Sequence, residues 1–166
     1  MVFRGMIMVR PPVVLFASLL VGYALSSLYP VSRAIYPPLH LAGLPLIAMG
    51  AFSVFWVIKT FRKRGTTHRP GEKPSVLVTT GLFRYTRNPI YLGFLLVSIG
   101  FAIYMAAITA FASPILFFIA IDGTVIPKEE AILLQVFGKD YIEYKARVRR
   151  WIRAILLFIG SNCYEL

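Results

Sequence analysis

At 166 residues the chain has the length of about one domain, but 58% of it is hydrophobic and only 15% is charged, which excludes an ordinary soluble globular protein. The net charge of +11 is explained better by basic flanks that meet anionic lipid headgroups than by nucleic-acid binding. A single cysteine, Cys163, excludes an intramolecular disulfide, and His40 and His68 are too isolated to predict a metal site.

Uncharged stretches predict four membrane-spanning helices. Charge-free runs cover 11–32, 34–58 and 88–121, and about 20 apolar helical residues span roughly 30 Å of hydrocarbon. If Asp122 is tolerated, the third run is long enough for two passes joined by a turn near 106–109. Pro114 then falls in the opening turn of the fourth helix, where its missing N–H does least harm. The predicted spans are 12–30, 40–59, 89–106 and 111–127, and the alternative for the first, behind Arg4 and Arg10, is a signal peptide.

The basic residues predict the orientation of these spans. Of the 18 lysines and arginines, all but Arg33 lie before the first span, between the second and third, or after the fourth. Because cytoplasmic loops collect Lys and Arg, both termini are predicted to be cytoplasmic. Gly43 and Gly50, seven positions apart in the second span, could support close helix packing or could equally be ordinary membrane glycines.

An amphipathic pattern follows the fourth span. Apolar residues recur at steps of three or four and predict two short helices, 128–137 and 141–150, on the cytoplasmic membrane surface or against the spans. Gly138 is predicted to end the first in the left-handed conformation, and Asp140 to cap the second. The segment 151–160 is apolar but too short for a fifth span, so it is predicted to be interfacial. The fold class is therefore all-α: a polytopic membrane protein with about four transmembrane helices plus C-terminal amphipathic cytoplasmic helices.

The third span begins at a polar sequence. Asn88 and Pro89 suit the N-cap and first position of a helix, which alone explains both residues. A helix N-terminus also favours a carboxylate or phosphate, and Arg84 and Arg87 would strengthen such an anion site. Both arginines could instead anchor the membrane surface, and we favour this role for Arg84.

Acidic residues gather at the end of the fourth span. Glu129 and Glu130 either balance nearby cations or hold a cationic or hydrogen-bond-donating group of a ligand. Asp122 lies seven and eight positions earlier, so it shares their face on a continuous helix unless Pro127 breaks the register. A carboxylic acid inside a span is a site candidate, although Asp122 could also lie at the interface or bond a neighbouring helix.

Two sequence blocks carry a family resemblance: GLFRYTRNPIYLG at 81–93 and EEAILLQVFGKDYIEYKARVRRW at 129–151. In this order, with a membrane hairpin between them, they resemble the isoprenylcysteine carboxyl methyltransferase family and its phospholipid-methylating relatives over about 78–153. The resemblance implies a membrane methyltransferase that binds S-adenosylmethionine near the cytoplasmic surface while a lipidic or prenylated acceptor enters from the bilayer. It divides the chain into an N-terminal pair of transmembrane helices, 1–60, and a methyltransferase-like core, 61–166, and leaves the oligomeric state open.

The resemblance also assigns residues in the first block. Arg87, Asn88, Pro89 and Tyr91 match the family's Arg-His-Pro-x-Tyr element, which helps to form the cofactor site. Asn88 replaces the histidine, so any role that needs an imidazole is lost or moved to another residue.

In the second block, Glu129 and Glu130 match the family's acidic pair, and Glu130 is the stronger candidate for the cofactor or catalytic site. Tyr141, Tyr144 and Arg149 match the later part of the block, which resembles the family's Tyr, Tyr, Val-x-Arg succession. The resemblance implies that the tyrosines close over the cofactor, whereas the pattern alone makes them part of a buried stripe.

The acceptor stays open between two kinds of group. An isoprenylcysteine carboxylate is already nucleophilic, whereas a phospholipid amine must lose a proton, for which Glu130, Glu129 or Asp122 could be the base. The eukaryotic enzymes' arginine before the acidic pair is missing here, where the chain has Asp122 and Lys128, and this difference favours an amine slightly. The resemblance still favours the carboxylate of a C-terminal isoprenylcysteine or a similar molecule as the acceptor, with the phospholipid amine as the alternative. A non-catalytic membrane subunit is a further alternative, while a transporter would need polar residues along several spans.

Overall fold

The computed structural model describes residues 10–29, 35–66 and 74–152, and in these residues the secondary structure is helical, without a β-strand. Several predictions concern residues outside these ranges, namely Arg4, Arg33, His68, Cys163 and 153–160. The helices are α1 (Pro11–Leu28), α2 (Gly43–Lys63), α3 (Pro89–Met105), α4 (Ala112–Ala120), α5 (Ile126–Phe137) and α6 (Lys139–Arg147).

The helix lengths confirm a multi-pass membrane protein. Pro11–Leu28, Leu39–Lys63 and Ile108–Phe137 are long and apolar enough to cross a bilayer. Helix α3 is also apolar, and its 17 residues extend about 26 Å at roughly 1.5 Å per residue. The turn after α3 lies where it was predicted, with Ala106 in the left-handed conformation, and Pro114 lies in the first turn of α4.

The predicted boundary between a span that ends at 127 and a helix that starts at 128 is wrong, because α4 and α5 form one continuous rod, and Pro127, for which a break in register was left open, does not end it. A π turn, Ile121–Val125, joins the two helices, so that the apolar helical segment runs over Ile108–Phe137. Proline lacks an N–H, and its ring collides with the carbonyl four residues earlier in an α-helix. The π turn widens the backbone immediately before Pro127, and this accommodates the ring without ending the helix.

The predicted bounds of the last helix are also wrong. Gly138 has φ 50° and ψ −118°, so its φ is positive as predicted but its ψ lies outside the left-handed helical region. Helix α6 starts directly after it, which puts Asp140 inside the first turn and not at the cap. The helix ends at Arg147, and Val148 is extended, with φ −121° and ψ 129°. The backbone beyond Val148 bonds the residues before α3 instead of continuing the helix.

Glycines bring α2 and α3 together, and of the two roles left open for Gly43 and Gly50 the structure has that of close helix packing. A Cβ on Gly100 would lie 2.6 Å from the carbonyl oxygen of Gly43, and one on Gly93 would lie 2.8 Å from that of Gly50. The two backbones therefore touch at two levels, seven residues or about two helical turns apart. This is the small-residue packing favoured between helices in lipid.

The other side of α3 packs on α1 and α4. Ser98 of α3 and Ser113 of α4 are fully buried, and their hydroxyls share a hydrogen bond of 2.8 Å. Leu15 of α1 joins Leu95 and Phe117 in the apolar core beside them. Helix α3 is thus held on both sides, which fixes its N-terminal end, where the polar residues converge.

Candidate functional site

The backbone at the start of α3 is as predicted, but the Asn88 side chain is not. Pro89 opens the helix and Asn88 occupies the N-cap position, yet the Asn88 side chain makes no capping hydrogen bond. Its Nδ2 donates instead to the carbonyl oxygen of Arg150 at 3.2 Å. Arg84 is exposed on the preceding turn, in agreement with a role outside the site.

The residues after α6, 148–151, dock against this helix start, and we call them the docking segment. The backbone N–H of Arg87 donates to the carbonyl oxygen of Arg149 at 3.0 Å, and the Thr86 hydroxyl donates to that of Arg150 at 2.8 Å. Trp151 is 3% exposed, and its Nε1 donates to Asp122 Oδ1 at 2.7 Å. The docking segment therefore joins the start of α3 to the π turn.

Four charged side chains alternate in sign across this junction. Arg150 donates from Nε and Nη2 to the two carboxylate oxygens of Glu130, at 3.1 and 3.0 Å, and from Nη1 to Asp122 at 3.3 Å. Arg87 Nη1 approaches Glu130 Oε1 at 3.1 Å, and the two side chains are only 9% and 12% exposed. Asp122 and Glu130 share a helix face, as predicted for a continuous helix, and Arg150 bridges them.

Glu129 points to a different partner. The hydroxyl of Tyr91 donates to Glu129 Oε1 at 2.5 Å, and Tyr91 is buried. Among the described residues no cation forms an ion pair with Glu129. The acidic pair therefore consists of one carboxylate bound by two arginines and one bound by a neutral phenol.

The two predicted tyrosines of α6 lie beside the arginine. Arg87 Nη1 donates to the Tyr141 hydroxyl at 3.1 Å, and the Tyr144 hydroxyl donates to the carbonyl oxygen of Phe83 at 2.8 Å. Burial raises the pKa of both phenols, and the charge of Glu130 raises that of Tyr141 further, against the opposing effect of Arg87. Both hydroxyls therefore stay protonated at physiological pH.

These groups surround a cavity of about 130 Å³. Apolar side chains of α2 and of the residues before α3, such as Phe61 and Val78, complete its wall. The predicted site residues that line it are Arg87, Asn88, Pro89, Tyr91, Glu129, Glu130, Tyr141 and Tyr144. The cavity thus brings both sequence blocks to one end of the helical bundle, the end that carries α6.

Two predicted residues lie elsewhere. Asp122 is not part of the cavity wall but contacts Arg150. Arg149 is exposed, and only its backbone oxygen is bonded to the start of α3. The sequence reasoning missed Arg150, although the family's Val-x-Arg spacing, counted from Val148, ends on Arg150 and not on Arg149.

One buried polar atom of the site has no partner among the described residues. Arg87 Nε makes no hydrogen bond, although Arg87 lines the cavity. The described residues hold no cluster of three His, Cys, Asp or Glu side chains suited to a metal ion. The site therefore offers one free donor at Arg87 and one carboxylate without a cation at Glu129.

Fold and site together define a multi-pass α-helical membrane protein with a charged, phenol-lined cavity at one end of its bundle. A family model described as phospholipid methyltransferase matches residues 38–140, which is more than half of the chain. The chain belongs to this family of membrane methyltransferases, and the resemblance found in the sequence is confirmed.

The similar proteins with names are isoprenylcysteine methyltransferases. The chain is 39% identical over 80 residues to protein-S-isoprenylcysteine O-methyltransferase B of Arabidopsis thaliana (46% of this chain, 39% of that one). It is 40% identical over 80 residues to enzyme A of the same plant, with the same shares covered. The chain spans about two-fifths of the length of these relatives.

A solved structure shares the fold. The eukaryotic intramembrane Ras methyltransferase ICMT (isoprenylcysteine carboxyl methyltransferase) aligns with a TM-score of 0.62 and 25% identity, over 82% of this chain and 50% of that chain. This likeness covers most of the helical bundle described here.

Proposed function

We propose that the protein is an S-adenosylmethionine-dependent membrane methyltransferase whose acceptor is lipidic, namely the carboxylate of an isoprenylcysteine or a similar molecule. The observation that carries the proposal is a cavity lined by Arg87, whose Nε makes no hydrogen bond within the described residues although its Nη1 pairs with Glu130, and by Glu129, whose carboxylate has no described cation. Family membership and the named relatives support the same reaction.

The charges of the cavity fit the methyl donor. S-adenosylmethionine carries a carboxylate, an ammonium and a sulfonium, so its binding needs a cationic donor and an anionic acceptor. Arg87 offers the first, and its position beside the N-terminus of α3 adds the positive end of the helix dipole. Glu129 offers the second. Tyr141 and Tyr144 supply neutral aromatic surface that suits a cationic methylated group.

A carboxylate acceptor needs little acid–base chemistry from the protein. S-adenosylmethionine, held by Arg87 and Glu129, would supply an activated methyl group there, and a carboxylate acceptor, already nucleophilic, would need no base. The protein must align the two reactants and exclude water. Phe61 and Val78 form an apolar part of the cavity wall and help to exclude water.

An amine acceptor is the second candidate, and Glu129 is the observation that favours it. Its carboxylate is bound by the Tyr91 phenol and by no described cation, so it could accept a proton from an ammonium headgroup. Glu130 is less suited to this role because Arg87 and Arg150 already occupy its oxygens. A phospholipid such as phosphatidylethanolamine would then be methylated on nitrogen.

We further propose that the cavity faces the cytoplasm and that both termini lie on that side. The support is the distribution of cations: the loop before α3 and the region after α4 hold most of the lysines and arginines, as cytoplasmic segments do. A cavity at that end is open to the water-soluble donor, while the acceptor arrives through the bilayer.

The test is methyl transfer by the purified protein in lipid nanodiscs. Radiolabelled S-adenosylmethionine is supplied with either a farnesylated cysteine or phosphatidylethanolamine, and the Arg87→Gln variant is the control. The proposal predicts a base-labile methyl ester on the farnesylcysteine, formed by the wild type and lost in the variant. A base-stable methylamine on the phospholipid would support the second candidate. A well-folded wild type that methylates neither would contradict both and favour a non-catalytic membrane subunit.

A further inference from the structure

The charged side chains behind the cavity form a continuous chain of contacts. Asp122 contacts Arg150, Arg150 contacts Glu130, Glu130 contacts Arg87, and Arg87 contacts Tyr141. The chain starts on the π turn, outside the cavity wall, and ends on three residues that line the cavity, Glu130, Arg87 and Tyr141. Asp122 and Arg150, the first two members of the chain, do not line the cavity.

The geometry of Glu130 makes it a support for Arg87. Arg150 takes one oxygen of Glu130 from each arm of its guanidinium fork, at 3.1 and 3.0 Å, an arrangement that fixes the carboxylate plane. The oxygen that also meets Arg87 is held at 3.1 Å from Arg87 Nη1. Only Lys145, at 3.9 Å, adds another described cation. Arg87 therefore has one nitrogen anchored while its buried Nε is left for a ligand.

The position of Arg150 depends in turn on the π turn. Its Nη1 lies 3.3 Å from Asp122 Oδ1, the same oxygen that accepts from Trp151 Nε1 at 2.7 Å. The Trp151 ring packs on Phe118 of α4, with ring centroids 5.1 Å apart. A π turn inside a membrane helix is a local departure that frequently occurs at functional sites. Here the π turn brings Asp122 into contact with Arg150 and Trp151 of the docking segment.

We propose that Asp122 and Arg150 are positioning residues: they hold Glu130 in place, and Glu130 thereby directs Arg87 into the donor cavity. The inference rests on the proposed function in identifying the ligand of Arg87 as the methyl donor. Without Asp122, Arg150 is free to leave Glu130. Without Arg150, Glu130 turns toward Arg87 alone and draws its guanidinium out of the cavity.

The first test follows Arg87 without any donor. Purified protein is treated with phenylglyoxal, and modification of Arg87 is timed by peptide mass spectrometry in the wild type, Asp122→Asn, Arg150→Lys and Arg150→Gln. Arg87 should react about threefold more slowly in Asp122→Asn and about tenfold more slowly in Arg150→Gln, because its guanidinium leaves the cavity and pairs with Glu130 alone. Arg150→Lys keeps the charge but not the fork, so its rate should lie between that of the wild type and that of Arg150→Gln.

The control is Arg147→Gln, which removes a cation from α6 whose pairing with Glu143 is mostly exposed, at 75% and 73%. It should leave the rate at Arg87 unchanged. Equal rates at Arg87 in the wild type and in Asp122→Asn would overturn the proposal, even if Asp122→Asn lowered the Tm.

The second test measures donor affinity in the same variants by calorimetry. S-adenosylmethionine should bind about threefold more weakly to Asp122→Asn and about tenfold more weakly to Arg150→Gln, and the double variant should be no worse than Arg150→Gln. Additive losses in the double variant would overturn the proposal, because independent effects mean that Asp122 does not act through Arg150. A wild type that binds no donor would contradict the proposed function, while the labelling experiment would still decide the present inference.

Discussion

The contact between α2 and α3 gives a prediction whose size follows from the structure. Replacing Gly100 by alanine adds a Cβ that would lie 2.6 Å from the carbonyl oxygen of Gly43 and 2.8 Å from Ile47 Cγ1. Ordinary contact starts at 3.4 Å, so the two backbones must separate by about 0.8 Å at this level. A backbone oxygen cannot rotate away as the end of a side chain can, so the whole helix pair must shift.

The expected cost combines two opposite effects. Overpacking a tight contact costs about 1–3 kcal/mol, while alanine in place of glycine in a helix returns roughly 1 kcal/mol. We therefore expect Gly100→Ala to lower the free energy of unfolding by up to about 2 kcal/mol. Gly123→Ala is the matched control, because a Cβ there meets nothing within 4 Å, and it should be neutral or slightly stabilising.

The assay is reversible unfolding in mixed detergent micelles, followed by circular dichroism, with wild type, Gly100→Ala and Gly123→Ala measured side by side. Equal stability of the two variants would refute the close approach of the helices. Gly93→Ala extends the test to the site, since its Cβ would lie 2.7 Å from Val54 Cγ2 and Gly93 lies one turn beyond the start of α3. This variant should weaken donor binding as well as stability.

Two further predictions concern buried hydroxyls. Ser98→Ala leaves the Ser113 hydroxyl without its described partner and should cost about 0.6 kcal/mol of unfolding free energy, the mean for such bonds between membrane helices; a loss in Ser98→Ala that Ser113→Ala does not share would argue against the bond. Tyr144→Phe removes the donor to the Phe83 carbonyl and should cost about 1–3 kcal/mol. Because burial raises the pKa of Tyr144, the neutral phenol stabilises the fold fully below the unfolded pKa of about 10, and this contribution is lost only as the pH rises through the higher folded pKa. The difference in unfolding free energy between Tyr144→Phe and the wild type should thus be the same at pH 7 and pH 9 in unfolding titrations. A difference that shrinks over this range would contradict the hydrogen bond from Tyr144 to Phe83.

Local sequence signals were sufficient wherever one physical effect dominates. Charge-free runs locate the membrane helices because hydrocarbon tolerates few charges. The Asn88-Pro89 pair locates the start of α3 because proline has no N–H to lose there. The spacing of Gly43 and Gly50 allows a close helix contact, although it leaves the partner helix open, and the structure identifies that partner as α3.

The features that failed are set by tertiary contacts. The residues after Arg147 are charged and suit a helix locally, yet the Thr86 hydroxyl and the Asn88 amide bond the carbonyl oxygen of Arg150, and these bonds take the backbone out of the helix. In the resulting segment the side chain of Arg150 contacts the acids while that of Arg149 is exposed. Two adjacent arginines cannot be told apart by composition, and it is the side chain of Arg150, not that of Arg149, that the structure brings to Glu130.

The central claim is that the cavity around Arg87 and Glu129 binds the methyl donor. The most direct measurement is calorimetric titration of the folded, detergent-solubilised protein with S-adenosylmethionine, using the wild type, Arg87→Gln and the surface control Arg147→Gln. The account predicts saturable binding by the wild type and the control, and a loss of about tenfold or more in Arg87→Gln, as expected for a charge-assisted contact in a buried site. Absence of saturable binding by the folded wild type, or equal binding by Arg87→Gln, would contradict it.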